Sequence, residues 1–167
     1  MNNQPISQSV TLRSATRDDL PSLTALCREV QEMHVRGRPD LFADTDPHDI
    51  ASYLASCFDG EGFSITVATR QEQVCGYVLV QDIHRPASPF RNAEHALYIH
   101  HIGVAKDTRR CGAGSALMNS VKTQATAAQC TAIRLDSWAF NTEAHDFFAH
   151  HGYAPMNIVF ENRLTAP

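Results

Sequence analysis

From Val104 to Leu117 the chain reads Val-Ala-Lys-Asp-Thr-Arg-Arg-Cys-Gly-Ala-Gly-Ser-Ala-Leu, and no other segment restricts its fold so tightly. Leu97 to Val104 is predicted to be a strand. Gly114 to Gln129 carries Leu117, Val121, Ala125 and Ala128 along one side of a predicted helix. A basic, glycine-bearing loop therefore joins a strand to a helix. Backbone N–H groups at such a junction point the same way and, with the helix dipole, form a cradle for an anion. Gly112 and Gly114 permit positive φ and close approach of a ligand to the backbone. Arg109 and Arg110 add positive charge, so the loop is predicted to bind a pyrophosphate.

The rest of the chain supplies strands and helices in alternation. Val10 to Arg13 reads as a first strand, and a helix starts between Thr16 and Asp18 with Leu20, Leu23, Cys27 and Val30 on its buried stripe. His34 to Asp46 reads as a loop. Asp46-Pro47 then opens a second helix, with Asp as cap and Pro at the first position. Ile65 to Thr69 and Val74 to Gln81 are two strands, and His84 to Glu94 is a Pro-bearing loop. Beyond the glycine loop and its helix, Ala132 to Trp138 is a strand, Thr142 to His151 a helix, and Met156 to Leu164 a closing strand. The order predicts one α/β domain.

Three kinds of phosphate loop compete for residues 104–117. The Walker loop requires Gly-x-x-x-x-Gly-Lys-Ser/Thr, which is absent. The dinucleotide fingerprint fits at Gly112 and Gly114, and Asp136 stands where a ribose-binding acid belongs. Its third glycine, however, is Leu117, and the loop before Gly112 is too long for it. The third pattern fits best. Arg109-x-x-Gly112-x-Gly114 after a strand ending in Val resembles the coenzyme A loop of the Gcn5-related N-acetyltransferase (GNAT) superfamily. Asn141-x-x-Ala144-x-x-Phe147-Phe148-x-x-x-Gly152-Tyr153 resembles a second block of that family. Val10 to Leu20 resembles its opening strand and helix, and Arg38-Pro-Asp-Leu-Phe42 a phrase between its first two helices.

The resemblance implies a single GNAT-like α/β domain over residues 10–167. It would have a mixed, mostly antiparallel sheet of six to seven strands, about four helices, and a splay between the central strands. It implies an acetyl-CoA-dependent N-acetyltransferase acting on a primary amine of a small molecule or peptide by direct attack in a ternary complex. The pyrophosphate would sit on the backbone of Arg110, Cys111, Gly112, Ala113, Gly114 and Ser115, beside Arg109. The pantetheine arm would run along Ile102, Gly103 and Val104, with Asn141 reaching it and Phe147 and Phe148 packing near it.

An alkylamine, with a pKa near 10.4, must lose a proton before it attacks, and a group titrating near neutrality suits that task. His100 and His101 lie just before Val104. Strand alternation would give His100 the parity of Ile102 and Val104, and send His101 to the opposite face unless a bulge intervenes. His100 is the preferred base and His101 the alternative. The resemblance gives the Val104 N–H to the developing oxyanion. Tyr98, Asp136 and Trp138 are expected to line the acceptor pocket. The family usually carries a tyrosine where this chain has Phe148, which cannot protonate a leaving thiolate. A coenzyme A-binding sensor without turnover is therefore the alternative function.

Composition narrows the partners. With a net charge of −4, neither nucleic acid nor a membrane is expected as partner. The five cysteines are odd in number, irregularly spaced and without a Cys-x-x-Cys pair, which predicts reduced thiols in a cytoplasmic protein. The nine histidines include no pair with zincin spacing, so no metal is expected. Residues 1–9 read as a loose polar tail. A homodimer is the commonest assembly open to such a chain.

Overall fold

The computed structural model describes residues 9–164, and most of the expected N-terminal tail lies outside them. The chain divides into two compact units at the Asp136–Ser137 junction. The first unit holds β1 (Thr11–Ser14), α1 (Leu20–Gly37), α2 (Pro47–Asp59), β2 (Phe63–Arg70), β3 (Gln73–Arg85), β4 (Glu94–Val104), α3 (Ala113–Ala127) and β5 (Ala132–Leu135). The second holds α4 (Thr142–His150).

Local chemistry explains the helix starts. Asp46 accepts a hydrogen bond from the His48 N–H at 2.7 Å and Pro47 occupies the first turn of α2, as the sequence predicts. Ahead of α1, the buried Asp19 carboxylate accepts two bonds of 2.7 Å from the Arg13 guanidinium and one of 2.8 Å from the Thr16 N–H. Arg13 holds that carboxyl down at about 2, and the pair ties β1 to the helix start. α1 runs on to Gly37, into the segment expected to be a loop from His34.

The strands form one sheet in the order β1-β2-β3-β4-β5. The first four are antiparallel, and β5 joins β4 in parallel. One face packs on α1 and α2, where Leu23, Leu26, Cys27, Ile50 and Leu54 meet Ile65, Val67, Tyr77 and Leu79. The other face packs on α3 through Leu117, Met118 and Val121, all fully buried. Each such buried Leu or Val stabilises the fold by roughly 1.5–3 kcal/mol.

Three expectations are corrected. Among the described residues the sheet has five strands, not six to seven. Met156 to Leu164, expected as the closing strand, has no regular secondary structure. Apolar residues with strand propensity do not make a strand without a ladder to join. β5 also stops at Leu135, short of the expected Trp138.

Candidate functional site

β4 is the axis of the site. β5 pairs with it only from Ala96 to Ile99, so among the described residues no strand flanks that side of β4 from His100 to Val104. On the other side β3 stays paired all the way to Val104. The Ala105 N–H bonds the Cys75 carbonyl at 2.9 Å. Antiparallel alternation then turns the N–H and C=O of Ile102 and Val104 away from β3, into the opening. β5 ends there, fully paired, and β4 runs on alone as an extended backbone edge.

The edge leads into the glycine loop. A short 3-10 turn, Lys106–Thr108, follows β4, and Arg110 and Gly112 take left-handed φ values of 63° and 89°. Gly112 is the N-cap of α3 and carries no side chain, so it makes no side-chain cap to the first-turn N–H groups of Ala113 and Gly114. A Cβ at Gly112 would meet nothing within 4 Å. The loop is thus a left-handed turn with open space before it and a helix dipole behind it, a geometry that fits a phosphate.

The register of β4 corrects the placement of the two histidines. Leu79 pairs with His101 but Val80 pairs with Ile99, which leaves His100 as the extra residue of a β-bulge. His100 therefore does not share the face of Ile102 and Val104. Both histidines turn toward the α1–α2 side. The sequence could not show this, because a bulge depends on two strands together.

Their surroundings differ. The His101 Nδ1 lies 3.3 Å from the Tyr77 hydroxyl and 3.6 Å from the Cys27 Sγ, and its ring is 5.7 Å from that of Tyr53. Burial, with smaller contributions from His100 and His34, lowers its pKa to about 4. His100 is exposed. Its Nε2 lies 2.9 Å from the Gln81 Oε1, and its ring is 4.8 Å from Tyr98 and 5.2 Å from Phe63. Burial lowers the His100 pKa as well, but the Asp136 carboxylate raises it in part. Tyr98 donates its hydroxyl proton to Asp136. Burial first, and Asp136 second, push the Tyr98 pKa up to about 12. Tyr98 and Asp136, expected to line the acceptor pocket, and His100, expected as the base, thus form one cluster. Gln81, Phe63, Tyr77, Cys27 and Tyr53 were not foreseen around the histidines, since only the sheet register brings them there.

His101 gives a stability prediction. Its folded pKa of about 4 lies below the ordinary 6.5, so the unfolded chain binds the proton first. The stabilisation is complete above the unfolded value and is lost as pH falls toward the folded one, with a slope of at most about 1.4 kcal/mol per pH unit. Urea midpoints measured across that window should fall in the parent and stay flatter in His101→Gln. Parallel curves would show that His101 does not carry the effect.

The remaining expected residues lie in the second unit. Asn141 is the N-cap of α4, and its Oδ1 accepts from the Ala144 N–H at 3.3 Å. Phe147 and Phe148 meet edge to face at 5.6 Å, and Phe148 lies 6.1 Å from the Tyr153 ring. Trp138 stacks with Phe140 at 6.4 Å. Within this unit Asn141 acts as a cap and the two phenylalanines as packing.

Comparison with known proteins agrees with this geometry. A model of the acetyltransferase (GNAT) family matches residues 25–153. A mutant of the BH1408 protein from Bacillus halodurans superposes with a TM-score of 0.89 at 26% identity, covering 93% of this chain and 99% of that one. The aminoglycoside N-acetyltransferase AAC(6')-Iy in complex with CoA has a TM-score of 0.76 at 13% identity, with 98% and 99% covered. An aminoglycoside acetyltransferase from an uncultured soil metagenomic sample, in complex with trehalose, has a TM-score of 0.69 at 18% identity, with 97% and 99% covered. No curated protein sequence matches the chain.

Proposed function

The chain belongs to the acetyltransferase (GNAT) family, and on that premise we propose that it moves the acetyl group of acetyl-CoA to a primary amine of a small molecule or peptide. The observation that carries this reading is the continuous path from the open edge of β4 at Ile102 and Val104 to the left-handed Gly112 and the uncapped start of α3. Such a path suits a ligand with an extended amide-bearing arm at one end and phosphates at the other. The arm pairs with Ile102 to Val104 and the phosphates take the N–H groups of Arg110 to Ser115, with Arg109 alongside. Asn141, Phe147 and Phe148 are assigned to the arm by the family resemblance.

Acetyl-CoA supplies an activated thioester; the chain supplies orientation, a base and an oxyanion donor. Asp136, with Tyr98 fixed on it, attracts a cationic amine. With Gln81 Oε1 accepting from His100 Nε2, the other ring nitrogen remains free to take the amine proton, directly or through water. The Val104 N–H faces the oxygen on which negative charge develops. The five free cysteines accord with a reducing, cytoplasmic setting.

Release of free thiol from acetyl-CoA, read across aminoglycosides, polyamines and lysyl peptides, tests the proposal. Turnover with one class supports it. Tight binding of acetyl-CoA with no turnover on any amine favours the sensor reading, which Phe148 motivates by offering no hydroxyl to the leaving sulfur.

A narrower result follows for Arg109. Arg109→Ala should weaken acetyl-CoA by roughly 10- to 100-fold, the range of a charge-assisted phosphate contact. It should leave acetyl-pantetheine, which lacks the phosphates, unchanged. Equal losses for both ligands in calorimetric titrations would show that Arg109 supports the loop rather than the phosphates.

A further inference from the structure

A second group of chemically active side chains lies at the opposite end of β4. His84 on β3 and His95 on β4 are direct cross-strand partners, so their side chains share a face of the sheet. Asp82, two residues before His84, shares it too. Cys130 arrives from the turn between α3 and β5, where Gln129 takes a left-handed φ of 58°. That turn is pinned in place. The Cys130 N–H bonds the Ala125 carbonyl at 2.9 Å, and the Thr131 N–H and hydroxyl both reach the His95 carbonyl, at 2.8 and 2.9 Å.

The pinning brings three different donor atoms to one point. The Asp82 Oδ1 is 2.7 Å from the His95 Nε2, and the Cys130 Sγ is 3.4 Å from the same nitrogen. The donor atoms of the three residues all lie within 4.8 Å of one another. The His84 ring stacks on His95 at 3.9 Å, with its Nε2 3.4 Å from the same Asp82 oxygen.

Cysteine, histidine and aspartate together suggest a nucleophilic triad, but the geometry argues against one. A relay needs the thiol on one ring nitrogen and the carboxylate on the other. Here both face Nε2. Convergence of sulfur, nitrogen and oxygen on a single position is the arrangement of a cation site. In a tetrahedral zinc site, bonds of about 2.3 Å to sulfur and 2.0–2.2 Å to nitrogen and oxygen set neighbouring donors roughly 3.3–3.6 Å apart. The two separations of 3.4 Å match that spacing. The 2.7 Å pair must open by about half an ångström, as a bridging hydrogen bond gives way to two metal bonds.

We propose that Asp82, His95 and Cys130 bind a zinc ion, with the fourth position open to His84 or water. The donor mixture selects the metal. Thiolate and imidazole suit zinc, whereas magnesium and calcium require oxygen throughout. On binding, the Cys130 thiol releases its proton to solvent as the sulfur takes the metal, and His95 carries its proton on Nδ1. The ligands stand 13 and 35 residues apart in sequence, which is why no metal spacing is legible there. The site is remote from the glycine loop and independent of the proposed transfer. Its place beside the first β4–β5 pair, Ala96 with Ala132, gives it a structural task. The ion clamps the β3–β4 hairpin to the start of β5, the one stretch of β4 that β5 accompanies.

Cobalt titration of tag-free, reduced protein tests this. Co²⁺ should give a sulfur-to-metal charge-transfer band that saturates at one equivalent and is displaced by Zn²⁺. The band should vanish in Cys130→Ser and in His95→Gln, and persist in Cys111→Ser, which alters the other partly exposed thiol. Zn²⁺, but not Mg²⁺, should raise the melting temperature of the parent chain. Absence of the band in the parent would overturn the proposal without recourse to any variant. So would a band that survives Cys130→Ser.

Discussion

Gly112→Val should abolish the rise in melting temperature that acetyl-CoA gives the parent chain, while leaving the unliganded protein folded. Gly112 sits at a φ of 89°, where a β-branched residue is strained, and the cost is of the order of 1–3 kcal/mol. Beyond its own chain neighbours, no atom of the described residues lies within 4 Å of where the new Cβ would stand, so packing conflict adds little to that. The open space matters more. It is the direction from which a phosphate, on the proposed path, would meet the first-turn N–H groups of α3, and a valine would occupy it. At a ligand concentration of about 100 times Kd, the parent gains roughly 2.7 kcal/mol; the variant should gain none. Melting curves with and without acetyl-CoA decide the matter. An undiminished shift in Gly112→Val would mean that the ligand does not use this loop, and the proposed cofactor path would fall with it.

What could be read from sequence was local, and what could not was pairwise. Asp46 and Pro47 mark the start of α2 because a cap and a first-turn proline need only their own neighbours. The helix expected from Gly114 is legible for the same reason, and α3 begins one residue earlier with Gly112 as its N-cap. The strand count failed at Met156 to Leu164, where apolar residues were present but no pairing was. The bulge at His100 and the meeting of Asp82, His95 and Cys130 both arise from the register of strands with one another or with a turn. No periodicity in one segment encodes such a relation. The strand–loop–helix junction at Gly112 was therefore recognisable early, whereas the orientation of the two histidines before it had to come from coordinates.

That orientation shapes the last expected result. His100→Gln should lower kcat/KM for an amine acceptor by about 10²-fold below roughly pH 8, the loss typical of one general base. The parent and variant should converge at higher pH, where more of the amine is already neutral. The bulge puts both histidines on the α1–α2 side, so strand parity no longer separates them; environment does. His101, with a pKa of about 4 and a ring nitrogen beside the Tyr77 hydroxyl, has little driving force to take a proton from an ammonium group. His100 is exposed, held by Gln81, and kept closer to neutrality by Asp136. Because burial lowers its pKa overall, the acid limb of the parent's pH–rate profile should lie below the usual imidazole range. Asp136→Asn should move that limb lower still by removing the charge that raises it. Acetyl-CoA affinity should be nearly unchanged in His100→Gln, since the cofactor contacts assigned to this strand come from its backbone. His101→Gln should act on acid stability more than on rate. Superimposable pH–rate profiles for His100→Gln and the parent would exclude His100 as the base, and a larger kinetic loss in His101→Gln would transfer the role to that residue.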